Sequence, residues 1–290
     1  MPTSHYIDLV EKERQFKLSI AMPVHNEANT VAAAIRDVLS AKLPEPYELI
    51  IVDDGSDDAT PQLIRSFTDT HIISHRHPQN LGKGAAVLTA AALASGSHIV
   101  IFDADCEYRA SDMARLCEPV ISKVADIIFG VRMFGMNTVY QSYRYAMGNR
   151  VTTFVANVMF DAYLSDLHSC LKLVPLRLFR GLTLTRTGFG LDSEITAELL
   201  RRGYRPFEVP VSYVSRSRAE GKKLTWKDGL GCLAVLGTVR LRGRQGLELA
   251  PVPSASAKVA AHVSNDRSQL HLVHTQTDYD AAQPEAAREC

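Results

Sequence analysis

Three acidic residues alternate with small residues directly after an apolar run. The run IVIF, residues 99–102, is followed by Asp103, Asp105 and Glu107. Carboxylate oxygens suit Mg²⁺ and Mn²⁺, and such ions share their coordination with waters and substrate phosphates. Because a chain that turns at a strand end can bring alternate carboxylates together, we expect these three acids to bind a divalent metal beside a diphosphate.

Polar side chains also follow two earlier apolar segments. His25 and Glu27 come after KLSIAMPV, and Asp53 and Asp54 come at the end of YELIIVDD. Predicted strands alternate with predicted helices over this half of the chain, which is typical of a mostly parallel sheet flanked by helices. Ligands bind outside the carboxyl ends of the strands in such sheets. We therefore expect these side chains to share one edge with the three acids.

A glycine-containing segment, NLGKG, precedes an alanine-rich helix. Its spacing and the lack of a following Ser or Thr exclude a Walker A loop. Gly82 could let the backbone approach a donor at the helix N-terminus, with Lys83 beside it, although a plain tight turn explains the glycines nearly as well.

Composition limits the class of protein. The chain has 290 residues, 46% of them hydrophobic, which suits one larger α/β domain, and its formal net charge of zero argues against a general nucleic-acid binder. Between Arg201 and Arg244 there are eleven Lys or Arg and three acids, which indicates a local basic surface for phosphates or an anionic membrane. Five cysteines without a C-x-x-C pair indicate a reducing compartment.

Three regions are expected along the chain. Residues 1–16 form an N-terminal extension that is too charged for a signal peptide, and residues 17–245 form the α/β domain. Residues 246–290 have few bulky apolar side chains and no sustained period, which predicts a disordered tail. The apolar stretch at 85–102 is interrupted by Gly96, Ser97 and His98, so we expect a soluble or membrane-associated protein that does not span the bilayer.

The segment VYQSYRYAMGNRVTTFVANVMF mixes aromatic and bulky aliphatic residues with two arginines at helical spacing. It could be an ordinary core helix. As an interfacial helix it would direct Phe154, Val158 and Phe160 towards lipid and Arg144 and Arg150 towards a lipid phosphate.

The motifs AMPVHNEANTV, IIVDDGSDDAT, NLGKGAAV, IFDADCEY, GVR and GFGLDSEITAELLRRGYRPFEVP, with the basic segment after them, occur in one order within residues 17–230. In that order they resemble a family 2 glycosyltransferase of the GT-A fold, close to the dolichyl- or polyprenyl-phosphate mannose and glucose synthases. The resemblance implies a Rossmann-like, mostly parallel sheet with interfacial helices. It also implies metal-dependent sugar transfer, with inversion, from a UDP- or GDP-linked donor to a polyprenyl phosphate.

The resemblance assigns roles residue by residue. The expected nucleotide-sugar contacts are Pro23, His25, Glu27, Asp53, Asp54, Gly82, Lys83, Asp103 and Ala104. Asp103 and Asp105 match the D-x-D metal motif, and Glu107 matches a position that assists the metal. Arg132 and Arg218 match cations that act on the phosphates.

Further cations complete the expected acceptor site. Lys222 and Lys223 match a basic segment that closes over the phosphates, and Arg144 and Arg150 are the lipid-phosphate candidates on the aromatic helix. The chain departs from its relatives in the segment DLHSCLK, where His168 stands at a position that is often acidic.

The chemistry of the acceptor decides whether a base is needed. Charge builds on the leaving diphosphate during sugar transfer, and a metal with flanking cations stabilises it. A polyprenyl phosphate is already anionic, so it needs no general base. A sugar hydroxyl would need one, and Asp192 or Glu194 is the candidate, although both could simply be acids at a helix start.

Two glycosyltransferase hypotheses therefore stay open, one with a polyprenyl-phosphate acceptor and one with a hydroxyl acceptor in polysaccharide or glycolipid synthesis. A sugar nucleotidyltransferase would need a glycine-rich basic loop where this chain has PVHNEAN, and a non-catalytic membrane adaptor would not need the D-x-D motif. The expected location is the cytoplasmic face of the membrane, as a peripheral protein, with a membrane-protein partner as a further hypothesis and no nucleic-acid partner.

Overall fold

The computed structural model describes residues 16–132, 138–139, 142–188, 190–215 and 226–242. The strands are β1 (Leu18–Val24), β2 (Tyr47–Asp53), β3 (Ile72–Arg76), β4 (His98–Ile101), β5 (Ile128–Val131), β6 (Thr138–Val139), β7 (Lys172–Pro175), β8 (Phe207–Pro210) and β9 (Tyr213–Val214). The helices are α1 (Val31–Ser40), α2 (Thr60–Arg65), α3 (Lys83–Leu93), α4 (Ser111–Ile121), α5 (Tyr143–Phe160), α6 (Leu176–Arg180), α7 (Leu191–Arg201) and α8 (Trp226–Leu241).

Seven strands form one sheet in the order β3-β2-β1-β4-β7-β5-β8. β1 runs parallel to β2 and β4, and β5 runs parallel to β8, whereas β7 is antiparallel to both of its neighbours. The predicted mostly parallel sheet with flanking helices is confirmed. The apolar segment FEVPVSYV, whose pattern alone predicts one strand, is divided between two sheets, because β8 ends at Pro210 and Tyr213–Val214 pairs with β6 in a separate small sheet.

Side chains of the central strands alternate between two cores. Every residue of β1 and of β2 is buried, as expected for strands covered on both faces. Leu18, Ile20 and Met22 of β1 face a core shared with α1 and α4, whereas Ala21 faces a core built with α3, α5, α7 and α8. The period of two in a strand therefore fixes which helices each β1 side chain contacts.

Helices α5 and α8 pack against each other on the second face of the sheet. Phe154 and Val158 on α5 are 66% and 67% exposed, in agreement with an outward apolar stripe. Phe160, in contrast, is only 7% exposed and packs in the core, so its predicted lipid-facing position is wrong. It lies two residues from Val158, which places it on a different side of the helix.

Among the described helices, none is both long enough and apolar enough to cross a membrane. The predicted N-terminal extension, apart from Phe16, and the predicted disordered tail at 246–290 lie outside the described residues. The division of the chain into these three regions stays a prediction.

Candidate active site

The carboxyl ends of β1, β2 and β4 meet at one edge of the sheet. Val24 at the end of β1 pairs with Asp53 at the end of β2, and the carbonyl of Val24 accepts a hydrogen bond from the Asp54 amide at 2.7 Å. The Phe102 amide donates to the Ala21 carbonyl at 2.9 Å, so the chain after β4 leaves at the same edge and carries Asp103 there. Hydrogen-bonded register thus gathers polar groups from three strands.

Lys83, the first residue of α3, joins two carboxylates at this edge. Its Nζ donates to Asp103 Oδ2 at 2.8 Å and lies 3.4 Å from Asp192 Oδ2, at the start of α7. Burial by itself would lower the pKa of Lys83, but the charges of Asp103 and Asp192 outweigh it and hold that pKa well above its usual range. The sequence motif NLGKG therefore delivers a permanent cation to the acids of the D-x-D motif.

Asp192 is the carboxylate that sequence reasoning placed at a helix start. Burial would raise its pKa, but the charges of Lys83 and of the buried Lys172 lower it overall. Its Oδ1 is buried and has no hydrogen-bond partner in the part of the chain that the structure describes. The carboxylate therefore stays ionised near pH 7, and one of its two oxygens is buried without a partner among the described residues.

The three acids after β4 do not form the predicted three-carboxylate cluster. Cys106 has a φ of +59° and turns the chain between Asp105 and Glu107. The Glu107 amide donates to Asp105 Oδ1 at 3.1 Å, while the Glu107 carboxylate accepts from Tyr213 Oη at 2.8 Å. This contact with β9 occupies one oxygen of the Glu107 carboxylate, and the expected role of Glu107 beside a metal stays a prediction.

The described residues include no group of three or more His, Cys, Asp or Glu side chains placed to hold a metal ion. Asp103 and Asp105 still fit a Mg²⁺ or Mn²⁺ ion, because both carboxylates are partly exposed at the strand end. Such ions are commonly held by one or two carboxylates together with substrate phosphates and water. A metal ion held by Asp103 and Asp105 would therefore need the phosphates of a bound donor, together with water, to complete its coordination.

The acids after β2 shape the loop that leads to Lys83. Asp54 is buried and accepts hydrogen bonds from the amides of Leu81 and Gly82 at 2.9 and 2.7 Å, and His77 Nδ1 lies 2.7 Å from it. Asp53 accepts from the Ser56 amide at 3.0 Å. Asp54 therefore holds the backbone of the loop that leads to Lys83, and its expected contact with the nucleotide-sugar stays a prediction.

Asp53 is also buried, with the guanidinium of Arg76 at the end of β3 3.3 Å from its Oδ2. Arg76 donates in addition to the Ser56 carbonyl at 2.8 Å. The expected contact of Asp53 with a nucleotide base stays a prediction.

The residues after β1 organise the chain around their own backbone. His25 Nδ1 lies 3.0 Å from the Asp54 carbonyl, which can only accept, so this nitrogen carries the proton. Glu27 accepts from Thr30 Oγ1 at 2.8 Å, and its carbonyl accepts from the Val31 amide at the start of α1. Pro23 is buried within β1. These three side chains therefore line or support the site edge rather than forming a cluster of charge.

Two glycines allow a close approach between backbone segments. Gly82 has a φ of +95°, and a Cβ there or at Gly84 would collide with the carbonyls of residues 186 and 187. The Gly84 amide instead donates to the Thr187 carbonyl at 2.7 Å. The glycines flanking Lys83 are needed because this loop lies directly against the segment before α7.

Arg132 is paired with Asp166, a carboxylate to which the sequence assigns no role. Its Nε donates to Asp166 Oδ2 at 2.6 Å and its second nitrogen donates to Oδ1 at 2.8 Å, while Asn149 donates to the same Oδ1 at 2.9 Å. The guanidinium also lies over the ring of Tyr213, 4.9 Å from its centroid. Burial would raise the pKa of Asp166, but Arg132 holds it well below its usual range.

The partly buried His168 and the buried Lys172 lie close enough to Asp192 for their charges to interact. Thr152 Oγ1 donates to backbone carbonyls of its own helix at 3.0 Å and lies 2.7 Å from His168 Nε2, so we place the imidazole proton on Nε2. Burial lowers the pKa of His168 to about 4, which keeps the ring neutral near pH 7. Lys172 is buried, donates to the Ser169 carbonyl and has a pKa lowered by burial. Nothing in the local sequence marks Lys172 as part of the site.

Glu194 points away from Asp192. Two residues apart on α7, the two side chains lie on different sides of the helix, and Glu194 is completely buried. It accepts from the amides of Thr185 and Arg186, from Thr185 Oγ1 and from Arg242, each at 2.8 Å. Its predicted role as a general base is therefore not supported, because every one of these contacts is structural.

Several predicted cations cannot be placed. Arg218, Lys222 and Lys223 lie outside the described residues, and so does the side chain of Arg144. Arg150 lies on the exposed side of α5. Their assignments to the phosphates stay predictions. Ala104 is buried directly after Asp103, where only its backbone could contact a donor.

Curated proteins similar to this chain are glycosyltransferases. The chain is 29% identical over 219 residues to the low-salt glycan biosynthesis hexosyltransferase Agl6 of Haloferax volcanii, covering 73% of this chain and 51% of that protein. It is 30% identical over 136 residues to the undecaprenyl-phosphate 4-deoxy-4-formamido-L-arabinose transferase of Yersinia enterocolitica, covering 45% of this chain and 41% of that protein. The chain thus spans about half the length of these relatives.

A solved structure shares the fold. Glucosyl-3-phosphoglycerate synthase from Mycobacterium tuberculosis, in complex with Mn²⁺, uridine diphosphate and phosphoglyceric acid, superposes with a TM-score of 0.60 at 16% identity, covering 82% of this chain and 83% of that chain. At this identity the likeness concerns the fold alone. The family model described as Glycosyl transferase family 2 matches residues 19–181, more than half of the chain. The chain therefore belongs to glycosyl transferase family 2.

Proposed function

We propose that this protein transfers a sugar from a nucleotide-sugar to a polyprenyl phosphate at a membrane surface, in a reaction that needs a divalent metal. The observation that carries the proposal is the Lys83 ammonium held between Asp103 and Asp192 at the carboxyl edge of the sheet. The names of the similar transferases from Yersinia enterocolitica and Pectobacterium atrosepticum support the polyprenyl-phosphate acceptor. Structures of the same fold with Mn²⁺ or Mg²⁺ and uridine diphosphate support the metal and the donor class.

The leaving group of this reaction is a diphosphate that gains negative charge as the bond to the sugar breaks. Asp103 and Asp105 would hold the metal, which when bound stabilises that charge as a Lewis acid. Lys83 supplies a second, permanent cation from the protein, already placed beside Asp103. Asp192 orients this ammonium from the other side. Because the cation is positioned before the donor binds, little reorganisation is needed during the reaction.

The state of Asp192 favours an anionic acceptor. A hydroxyl acceptor would have to lose its proton to a base, and a carboxylate whose pKa is lowered by two lysines is a poor base. Glu194, the other candidate, is fully engaged with residues 185, 186 and 242. A phosphate acceptor needs no base at all. Transfer to a hydroxyl in polysaccharide or glycolipid synthesis is the second candidate, and it depends on Asp192 alone.

An apolar stripe on α5 supports membrane association. Tyr143, Val151, Phe154 and Val158 are each more than half exposed and follow one another at a spacing that places them on one side of the helix. An amphipathic surface of this kind suits the interface of a bilayer, with Arg150 next to it. We place the protein peripherally at the cytoplasmic face, where nucleotide-sugars are supplied. A membrane-protein partner is part of the same proposal.

The test combines a short polyprenyl phosphate with a panel of UDP- and GDP-sugars, with and without Mn²⁺, and identifies any glycolipid by mass spectrometry. We expect one donor to give a metal-dependent glycosyl phosphoryl lipid. With acceptor in vesicles, Phe154→Ser should reduce the rate, whereas the control Ile121→Ser on α4 should not, and both should match wild type in detergent. Failure of every donor with a folded protein would contradict the proposal.

Asp192→Asn separates the two acceptor classes. With a polyprenyl phosphate we expect no more than about a tenfold loss of rate, because no proton has to leave the nucleophile and Lys83 keeps its contact with Asp103. With a hydroxyl acceptor the loss should be about two to four orders of magnitude, the usual scale for a missing general base. Initial rates at several pH values measure the difference. A severe defect with intact donor binding would favour the hydroxyl acceptor.

A further inference from the structure

A buried charge cluster lies where α8 ends. Glu194 and Glu198, one turn apart on α7, are both completely buried. Arg242, directly after α8, lies 2.8 Å from Glu194 Oε1 and 3.0 Å from Glu198 Oε1 through its two terminal nitrogens. The same guanidinium donates to the Thr183 carbonyl at 2.7 Å. One side chain thus links α8, α7 and the segment at 183–187.

The two glutamates differ in how they are neutralised. Glu198 also pairs with Arg201, the last residue of its own helix, at 3.0 Å and with Arg202, directly after that helix, at 3.3 Å. For Glu194, the ion pair with Arg242 is the one found within the described ranges. A buried carboxylate that loses its counter-charge is strongly destabilised, so the contacts of Glu194 depend on Arg242 more than those of Glu198 do.

Glu194 carries this dependence into the segment at 183–187. Its Oε2 accepts the amides of Thr185 and Arg186, each at 2.8 Å, and its Oε1 accepts Thr185 Oγ1 at 2.8 Å. The next residue, Thr187, accepts the Gly84 amide at 2.7 Å. Gly84 follows Lys83, and neither flanking glycine has room for a Cβ.

We propose that Arg242 is a positioning residue for the donor site. It holds Glu194 in place, Glu194 holds the segment at 183–187, and that segment fixes the first turn of α3, from which Lys83 extends to Asp103 and Asp192. The inference rests on the proposed function in one respect, namely that Lys83 acts on the donor. It adds a functional residue more than 60 positions beyond the region matched by the family model.

The chain offers a matched control for Arg242. Arg240 has the same charge and lies on the last turn of the same helix, but its Nε donates to the Met159 carbonyl at 3.0 Å. The experiment compares Arg242→Met, Arg242→Lys and Arg240→Met in the full chain. Hydrogen–deuterium exchange is followed in peptides covering 82–86 and 183–187, and kcat and KM for the donor are measured with the glycolipid assay.

We expect Arg242→Met to accelerate exchange roughly tenfold in both peptides, and to lower kcat by a similar factor with little change in donor KM. Arg242→Lys should recover part of both effects, and Arg240→Met should match wild type. Unchanged exchange in both peptides of folded Arg242→Met would overturn the inference. So would altered exchange accompanied by wild-type kcat. If the wild-type protein shows no transfer, the proposed function fails. The exchange data still decide whether Arg242 holds the segment at 183–187 and the first turn of α3 in place.

Two truncations test Arg242 independently, and Arg242→Lys, which keeps the charge, keeps the inference testable if Arg242→Met does not fold. We expect a chain ending at residue 245 to retain full activity and wild-type exchange, because the tail is predicted to be dispensable. A chain ending at residue 241 should behave like Arg242→Met. Equal activity and equal exchange in the two truncations would overturn the role of Arg242.

Discussion

Asp105→Ala should abolish metal-dependent transfer and leave the unfolding temperature close to that of wild type. Asp105 is partly exposed at the strand end and contributes little to the core, so its loss should not affect folding. Its carboxylate is one of the two that we propose hold the metal, whose charge stabilisation is worth several kcal/mol. A loss of roughly 4 kcal/mol corresponds to about a thousandfold slower rate. Rates across a Mn²⁺ titration, together with thermal unfolding, measure both effects.

Asp57→Ala is the matched control for Asp105→Ala. Asp57 is an exposed acid in the loop after β2, so its removal changes the charge near the same sheet edge without touching the D-x-D motif. We expect wild-type metal dependence in that variant. If Asp105→Ala instead retained wild-type activity and the same response to Mn²⁺, the metal assignment to Asp103 and Asp105 would be wrong.

Arg132→Met should have the largest effect on stability. The guanidinium makes two short hydrogen bonds to Asp166, whose side chain is 1% exposed. Removing one partner of a buried ion pair leaves an uncompensated charge and costs about 3–5 kcal/mol. For a domain of this size that lowers the unfolding temperature by roughly 10 °C. Calorimetry on Arg132→Met and on the exposed control Arg150→Met measures the difference.

The double variant Arg132→Met, Asp166→Leu tests the cause of that destabilisation. Because the second change removes the stranded charge, we expect it to restore most of the lost stability, as replacing buried ion pairs by apolar residues often does. If Arg132 also contacts a phosphate, activity should stay low in both variants. Each lost charge-assisted hydrogen bond to that phosphate should cost roughly 1.5–3 kcal/mol of binding or transition-state stabilisation. An Arg132→Met protein as stable as wild type would show that Asp166 does not depend on this arginine.

The amino-acid sequence by itself determined the sheet and the edge at which the site lies. Apolar segments such as LSIAMPV and YELIIVD are buried on both faces as strands, and the polar residues that follow them must emerge where those strands end. The sequence alone therefore predicts that Asp103, Asp53 and His25 lie at one edge of the sheet. Local periodicity and strand ends are properties of short segments, so they can be recognised without the fold.

The partners of those side chains were decided only by the tertiary structure. Lys83 meets Asp192 from 109 residues away, and Arg132 meets Asp166 from 34 residues away. No local pattern distinguishes Asp192, which faces the site, from Glu194, which is held by Arg242 on another side of the same helix. Phe160 was misassigned for the same reason, because the packed core determines where it points, and Glu107 contacts Tyr213, a partner that no local pattern indicates. The contacts of a charged or aromatic side chain depend on how distant elements pack. Burying a charged group costs free energy unless neighbouring groups offset that cost, and those neighbours come from elsewhere in the chain.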